Sequence, residues 1–406
     1  MRNNRKNDVR EPLVHLSKRA AINPLRAWAI RLAAIALGLI VCGLVAFLLI
    51  EKLNAKPERI GDFYAAFIKG SFSTNRKFWK FLKNIAILLC VSLALTPAFR
   101  MRFWNIGGEG QTLVSVLGAI AVDFYLGGKV PEWILLILMF FAALLAGAVW
   151  AVIPALFRAK WGTNETLFTL MMNYVATFLV SYFLVIWVPS GSSSLGKLKY
   201  GKLPSFGHDY LLIILIVLAL TVGLYVYLKY TKHGYEINVV GESVRTAQYV
   251  GINEKKVIIR TMILSGALCG LAGYLIAAGL DQTVTTESAG GQGFTGIMVA
   301  WLGKFNPLAM ILTAGLIQLL NQGAAQISQD FDVSGAFPNV IVGIILFFII
   351  GSEFFINYEI HFRKSHKEIE AQPQAAVGET APEQPEPAPA EAIAADSKKD
   401  GKEEAK

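Results

Sequence analysis

Hydrophobic positions in this chain fall into long runs separated by short polar stretches. Ten runs stand out, at 28–50, 81–98, 110–126, 133–157, 166–188, 210–229, 257–280, 293–303, 308–321 and 336–356. Most approach or exceed the ~20 residues a helix needs to cross a hydrocarbon core of ~30 Å, and the run at 293–303 is short. The two-residue alternation of barrel strands is missing, so the pattern predicts an all-α integral membrane protein with about ten transmembrane helices. Composition agrees, since 54% of the 406 residues are hydrophobic and only 17% are charged, which does not fit a soluble surface. The first run is too long for a leader core and no small-residue cleavage site follows it. It reads as an uncleaved helix behind a cytoplasmic segment, residues 1–27, that carries Arg2, Arg5, Lys6, Arg10, Lys18, Arg19 and Arg26.

An even helix number puts both termini on one side, and Lys and Arg mark that side as cytoplasmic. Arg100 and Arg102, Arg158 and Lys160, the loop between Lys229 and Arg260, Lys304, and Arg363, Lys364 and Lys367 all fall there. The opposite loops at 280–292 and 322–335 contain acids but no Lys or Arg. The loop at 51–80 is the exception: it should be external, yet it holds Lys52, Lys56, Arg59, Lys69, Arg76, Lys77 and Lys80. Its stretch at 60–72 reads as an amphipathic interfacial helix. Residues 357–406 form the C-terminal segment. From Glu368 onward it is rich in Ala, Pro, Glu and Lys, without aromatics, and is expected to be a disordered acidic cytoplasmic tail. Ten acids against four lysines in that tail leave the membrane body strongly cationic, although the whole chain is only +9.

Gly107-Gly108-Glu109-Gly110-Gln111-Thr112 opens the third run, and Gly290-Gly291-Gln292-Gly293-Phe294-Thr295 opens the eighth. Third and eighth are equivalent places in two halves of five helices, and the topology makes the two copies enter from opposite sides. This is the signature of two inverted five-helix halves, as in transporters whose discontinuous helices line a central path.

Chemistry of other kinds is missing. No Gly-Lys pair is followed by Ser or Thr, so there is no phosphate-binding loop and no ATPase in this chain. The five histidines have no metal-ligand spacing, Cys42, Cys90 and Cys269 sit in apolar runs as packing residues, and no basic run is interleaved with aromatics as nucleic-acid binding would need. No metal, cofactor or nucleic acid is expected. The polar residues at membrane depth are the candidates for a substrate pathway, because each is costly unless satisfied: Asn105, Glu109 and Gln111 at the first break, Asn164 and Glu165 opening the fifth run, Asn173 and Tyr174 beyond them, and Gln292 at the second break. Glu109 and Glu165 also suit helix N-termini, and Asn173 suits a bridge between helices.

The cytoplasmic loop at 234–256 is longer than a connection needs. Within it, 242–250 is helix-like, with a small apolar face of Val244, Ala247, Tyr249 and Val250, and Gly251 stops it. A short exposed helix of this kind suits docking to a soluble partner.

Together these motifs carry a resemblance. Arg102 to Gln111 (RFWNIGGEGQ), Gly162 to Tyr174 (GTNETLFTLMMNY), Gly241 to Asn253 (GESVRTAQYVGIN) and Leu264 to Gly273 (LSGALCGLAG) resemble the permease subunits of bacterial ABC importers, in the branch for nucleosides that is related to ribose and branched-chain amino acid permeases. The likeness covers most of 28–356. It implies a pair of permeases, often different from one another, with cytoplasmic ABC ATPases that use the ATP and an external substrate-binding lipoprotein, all at the bacterial inner membrane. It also implies that Gly241, Glu242, Arg245, Tyr249 and Gly251 belong to the coupling helix that meets the ATPase. The residues alone leave two other readings open, a ribose-type sugar permease and an ion-coupled secondary transporter.

Overall fold

The computed structural model describes residues 14–19, 23–49, 60–188, 194–205, 207–333 and 336–362. It divides into a helical unit, Ile22–Ile356, and a terminal unit drawn from Met1–Ala21 and Asn357–Lys406. In the terminal unit β1 (Val14–Lys18) pairs antiparallel with β2 (Tyr358–Phe362), Leu16 standing opposite Ile360. Neither strand is anticipated by the hydrophobic pattern. The acidic tail from Glu368 and the basic residues Lys52, Lys56 and Arg59 lie outside the described residues.

Every one of the ten apolar runs is helical, as it must be where lipid offers the backbone no partner. They form α1 (Pro24–Leu49), α3 (Asn75–Arg100), α4 (Gly108–Leu126), α5 (Glu132–Trp161), α6 (Glu165–Trp187), α7 (Leu211–Tyr230), α10 (Glu254–Ile276, prolonged by a π turn, Ala277–Asp281), α11 (Gln292–Leu302), α12 (Pro307–Phe331) and α13 (Phe337–Asn357). Among the described residues three further helices lie between them: α2 (Ile60–Phe72), α8 (Lys232–Glu242) and α9 (Val244–Tyr249). Among the described residues eight helices have the length and apolar character to cross a membrane. The two runs that fall short of that standard are α4 and α11, the helices opened by the glycine repeats.

Burial sorts the helices by role. From Ala86 to Phe99 every residue of α3 is buried, so this helix is apolar all round because protein surrounds it. Most of α4 is buried as well. By contrast α1, α6, α7 and α13 turn large apolar side chains outward, among them Leu44, Phe178, Leu215 and Phe347. A water-soluble surface would not tolerate that, whereas lipid or another permease would.

Small residues set the closest approaches. Along α5, Ala143, Gly147 and Ala151 form one face, and Gly266 and Gly270 of α10 lie against it. A Cβ on Gly270 would sit 2.6 Å from the carbonyl oxygen of Ala143, and one on Gly147 would run into the carbonyl of Gly266. This is the small-xxx-small packing by which membrane helices gain contact when lipid removes any hydrophobic drive. The same device joins α2 to α12, where Gly70 and Gly323 let the backbones meet and Phe63 buries its ring against Phe331. The apolar face of α2, expected to rest in the lipid interface, is therefore taken by protein. Cys42, Cys90 and Cys269 are free and buried.

Leucine at position 147 or 270 is expected to wedge α5 from α10 and to cost about 1–3 kcal/mol or more. Leucine at Gly223, which faces open space on α7, should be neutral. Thermal unfolding of the purified protein in mild detergent checks this, and equal melting of the three variants would count against the packing.

Candidate functional site

Between α3 and α4 the chain leaves helical geometry over residues 101–107, and this stretch is largely buried. Buried backbone groups must find partners. Here the neighbouring helix α6 supplies them. Thr169 Oγ1 accepts from the Ile106 amide at 3.1 Å, and one turn on, Asn173 donates to the Ile106 carbonyl at 3.0 Å while its Oδ1 accepts from the Gly110 amide at 2.9 Å. Asn105 folds over its own turn: Oδ1 accepts from the Gly107 amide at 3.0 Å and from Gln111 Nε2 at 3.1 Å, and Nδ2 donates to Gln111 Oε1 and to Ser265 Oγ of α10. Asn105 and Gln111 are thus a fully buried, mutually bonded amide pair.

Glu109 does something different. Its two carboxylate oxygens accept from the amides of Gly291 and Gly293, each at 2.7 Å, at the start of α11. Gly293 also packs so tightly on Glu109 that a Cβ there would overlap the Glu109 backbone. The two copies of the glycine repeat, 183 residues apart, meet here. Glu109 lies in the first turn of α4 and at the N-terminus of α11, so one carboxylate offsets the positive ends of two helix dipoles. Each charge-assisted bond of this kind is worth about 1.5–3 kcal/mol. Gln292, the equivalent of Glu109 in the second copy, is half-buried, and its Oε1 has no partner among the described residues.

The other candidates lie elsewhere. Asn164 caps α6, accepting from the amides of Thr166 and Leu167. Glu165 is buried and pairs with Arg158 at 3.4 Å. Tyr174 is 59% exposed on the outer face of α6, away from the break that its neighbour Asn173 holds. Thr169 and Ser265 were not singled out in the sequence. Thr169 stands four residues before Asn173, on the same helical face, and that spacing is the signal that could have found it.

The segment at 242–250 is two helices rather than one. Gly241 and Glu242 end α8, Ser243 is extended at φ −157°, and its hydroxyl accepts from the Thr246 amide to cap α9. Gly251 ends α9 at φ +78°, the left-handed geometry of a helix stop, while the Ile252 amide closes on the Ala247 carbonyl at 2.9 Å. Ala247 faces the bundle, and Val244, Arg245, Tyr249 and Val250 stand outside, Tyr249 91% exposed. A cavity of about 260 Å³ lies between this segment and the break, lined by Arg102, Arg158, Glu165, Gly241 and Glu242 among others.

Residues 78–350 match the sequence profile of the family described as the permease component of branched-chain amino acid transport systems. The chain belongs to this permease family. Among its relatives is the guanosine ABC transporter permease NupP of Bacillus subtilis, 30% identical over 323 residues, which are 77% of this chain and 91% of NupP. The glucose ABC transporter permease TsgB13 of Haloferax volcanii is also 30% identical, over 76% of this chain and 84% of its own. The nucleoside ABC transporter permease NupB of Lactococcus lactis is 27% identical, over 71% of this chain and 83% of its own. The protein is therefore a multi-pass membrane permease of the ABC transporter class, and the ion-coupled reading is set aside.

In this permease Asn173→Leu should leave the Ile106 carbonyl and the Gly110 amide unpaired, at about 1–3 kcal/mol for each buried group. Tyr174→Leu should leave the fold intact. A melting temperature that drops for the first variant and holds for the second is the expected result, and the reverse order would contradict the assignment of Asn173.

Proposed function

We propose that this permease carries nucleosides inward across a bacterial inner membrane, driven by ATP that separate cytoplasmic ATPase subunits hydrolyse. The observation that carries the reading is kinship: two of the relatives above, matched over most of their length, are named for guanosine or nucleosides. The chemistry of the break supports it. Its bonded side chains are the amides of Asn105, Gln111 and Asn173, the hydroxyls of Thr169 and Ser265, and the carboxylate of Glu109, with Gln292 beside them. A nucleoside is neutral and rich in hydroxyls, and it needs hydrogen-bonding partners rather than the paired fixed charges that an amino-acid zwitterion favours. We place Glu109 and Gln292 along the path, with Asn105, Gln111 and Asn173 shaping it. The glucose permease among the relatives keeps a sugar as the second reading.

The outward face of Val244, Arg245, Tyr249 and Val250 is the docking point for the ATPase in this reading, and the exposed apolar helices meet lipid and a second permease, the same chain or a paralogue. An external binding lipoprotein delivers the substrate. Residues 1–27 and 357–406 flank the membrane domain, 28–356, on the cytoplasmic side. The pairing of β1 with β2 favours a common side for the two termini, since strands cannot pair across a bilayer. The chain itself binds no cofactor in this account.

Uptake of labelled nucleoside into cells should be competed by other unlabelled nucleosides and hardly by ribose or glucose. Equal competition by a free sugar would replace the nucleoside with the sugar. Orientation is checked separately with single cysteines in a cysteine-free background: at position 285 an impermeant maleimide should react from outside, and at position 248 it should react only after the membrane is opened. Outside labelling at position 248 would reverse the topology.

A further inference from the structure

The helix α11 is held at both ends by one turn of chain. Glu109, just after that turn, takes the N-terminal amides of α11. Arg100, just before it, sends Nε and Nη2 to the carbonyl of Phe305, at 3.1 and 2.8 Å, in the turn that closes α11. A carboxylate at the N-terminus and a guanidinium at the C-terminal end match the helix dipole at both poles. Aromatic rings reinforce the lower end: Phe99 stacks on Phe305 with 9° between the ring planes, and Trp104 meets Trp301 at 5.7 Å. The turn in question, residues 101–107, touches the coupling segment as well. Gly241 lies directly on the main-chain carbonyl of Arg100, so closely that no Cβ would fit between them, and a Cβ there would also come within 3.3 Å of the Met101 Cα. Arg102 is held at φ +58°, in the left-handed region, beside this contact. Such backbone persists in a non-glycine residue only where its surroundings over-determine it.

We propose that Arg100 and Glu109 are positioning residues that make α11 and the 101–107 turn one rigid piece, pushed from Gly241 when the coupling segment moves. The proposal rests on the reading of Val244 to Val250 as the ATPase contact. Force applied at α8 and α9 reaches the Arg100 carbonyl through Gly241, passes along residues 101–107, and turns α11 by both of its ends. The helix opened by the second glycine repeat thereby follows the first, although the two belong to different halves of the chain. Packed elements with two discrete arrangements carry such movements.

The test uses the whole transporter, permease with its ATPase and binding protein, in proteoliposomes, and reads substrate taken up per ATP hydrolysed. Arg100→Met should lower that ratio by roughly tenfold or more, and Arg100→Lys, which keeps a cation, should restore most of it. A merely structural role would lower uptake and hydrolysis together and leave the ratio alone. Tyr249→Ala separates the two claims. If Tyr249→Ala keeps full uptake, the coupling reading fails; if it loses uptake while Arg100→Met keeps the wild-type ratio, the clamp fails and the coupling reading stands. Where Arg100→Met does not assemble, spin labels in an otherwise intact permease decide. Labels at position 248 and at the exposed position 294 of α11 should keep their separation between nucleotide-free and ATP-bound states, while a pair at 137 and 294 should change. A constant 137–294 distance, or a 248–294 distance that changes more, would overturn the proposal.

Discussion

A carboxylate inside a membrane protein is tolerable only if donors surround it, and the donors that Glu109 has found are backbone amides in the other half of the chain. That one arrangement constrains much else. The amides of Gly291 and Gly293 can converge on a single carboxylate because Gly291 takes a left-handed φ of +71° and because Gly293 offers no side chain to keep Glu109 away. The start of α4 must in turn lie buried against α11, which requires the unwound residues 101–107 to run inside the bundle, and these are tolerable only because Thr169, Asn173 and Asn105 satisfy their backbone. The irregular backbone is thus largely enclosed in protein, with the side chains of Arg102 and Trp104 reaching its surface.

Glycine serves two purposes in this protein. At 107–110 and 290–293 it breaks helices where two halves meet. At Gly147, Gly266, Gly270 and Gly323 it lets intact helices touch backbone to backbone. The first use places irregular backbone at the centre and the second packs whole helices closely, with α3 buried from Ala86 to Phe99. The alternating access proposed above would use both, since a path can open to one side at a time only if some elements shift against others that do not.

Much of this was legible in the sequence. Ten apolar runs read as helices because lipid leaves the backbone no alternative, and the two breaks declared themselves through glycine beside polar residues at a depth where neither is cheap. What the sequence withheld was partnership. Asn173 meets Ile106 and Gly110, and Glu109 meets Gly291 and Gly293, and no periodicity links positions so far apart. The split of the coupling segment at Ser243 was readable in principle, since a serine three residues before the Thr246 amide is a capping signal. The β1–β2 pair was missed although Tyr358, Ile360 and Phe362 alternate with polar residues, because a five-residue alternation at the end of a long helix reads as the helix fraying.

The central claim, that the two broken helices are joined through one carboxylate, is open to direct measurement by hydrogen–deuterium exchange on the intact transporter. In the wild type, peptides covering residues 288–296 should be protected from exchange. In Glu109→Gln, whose amide can accept from only one oxygen, that protection should fall at the start of α11 while the frame helices α5 and α10 stay as they were. Unchanged exchange at residues 291 and 293 in the variant would mean that Glu109 does not hold α11, and the account built on it would not stand.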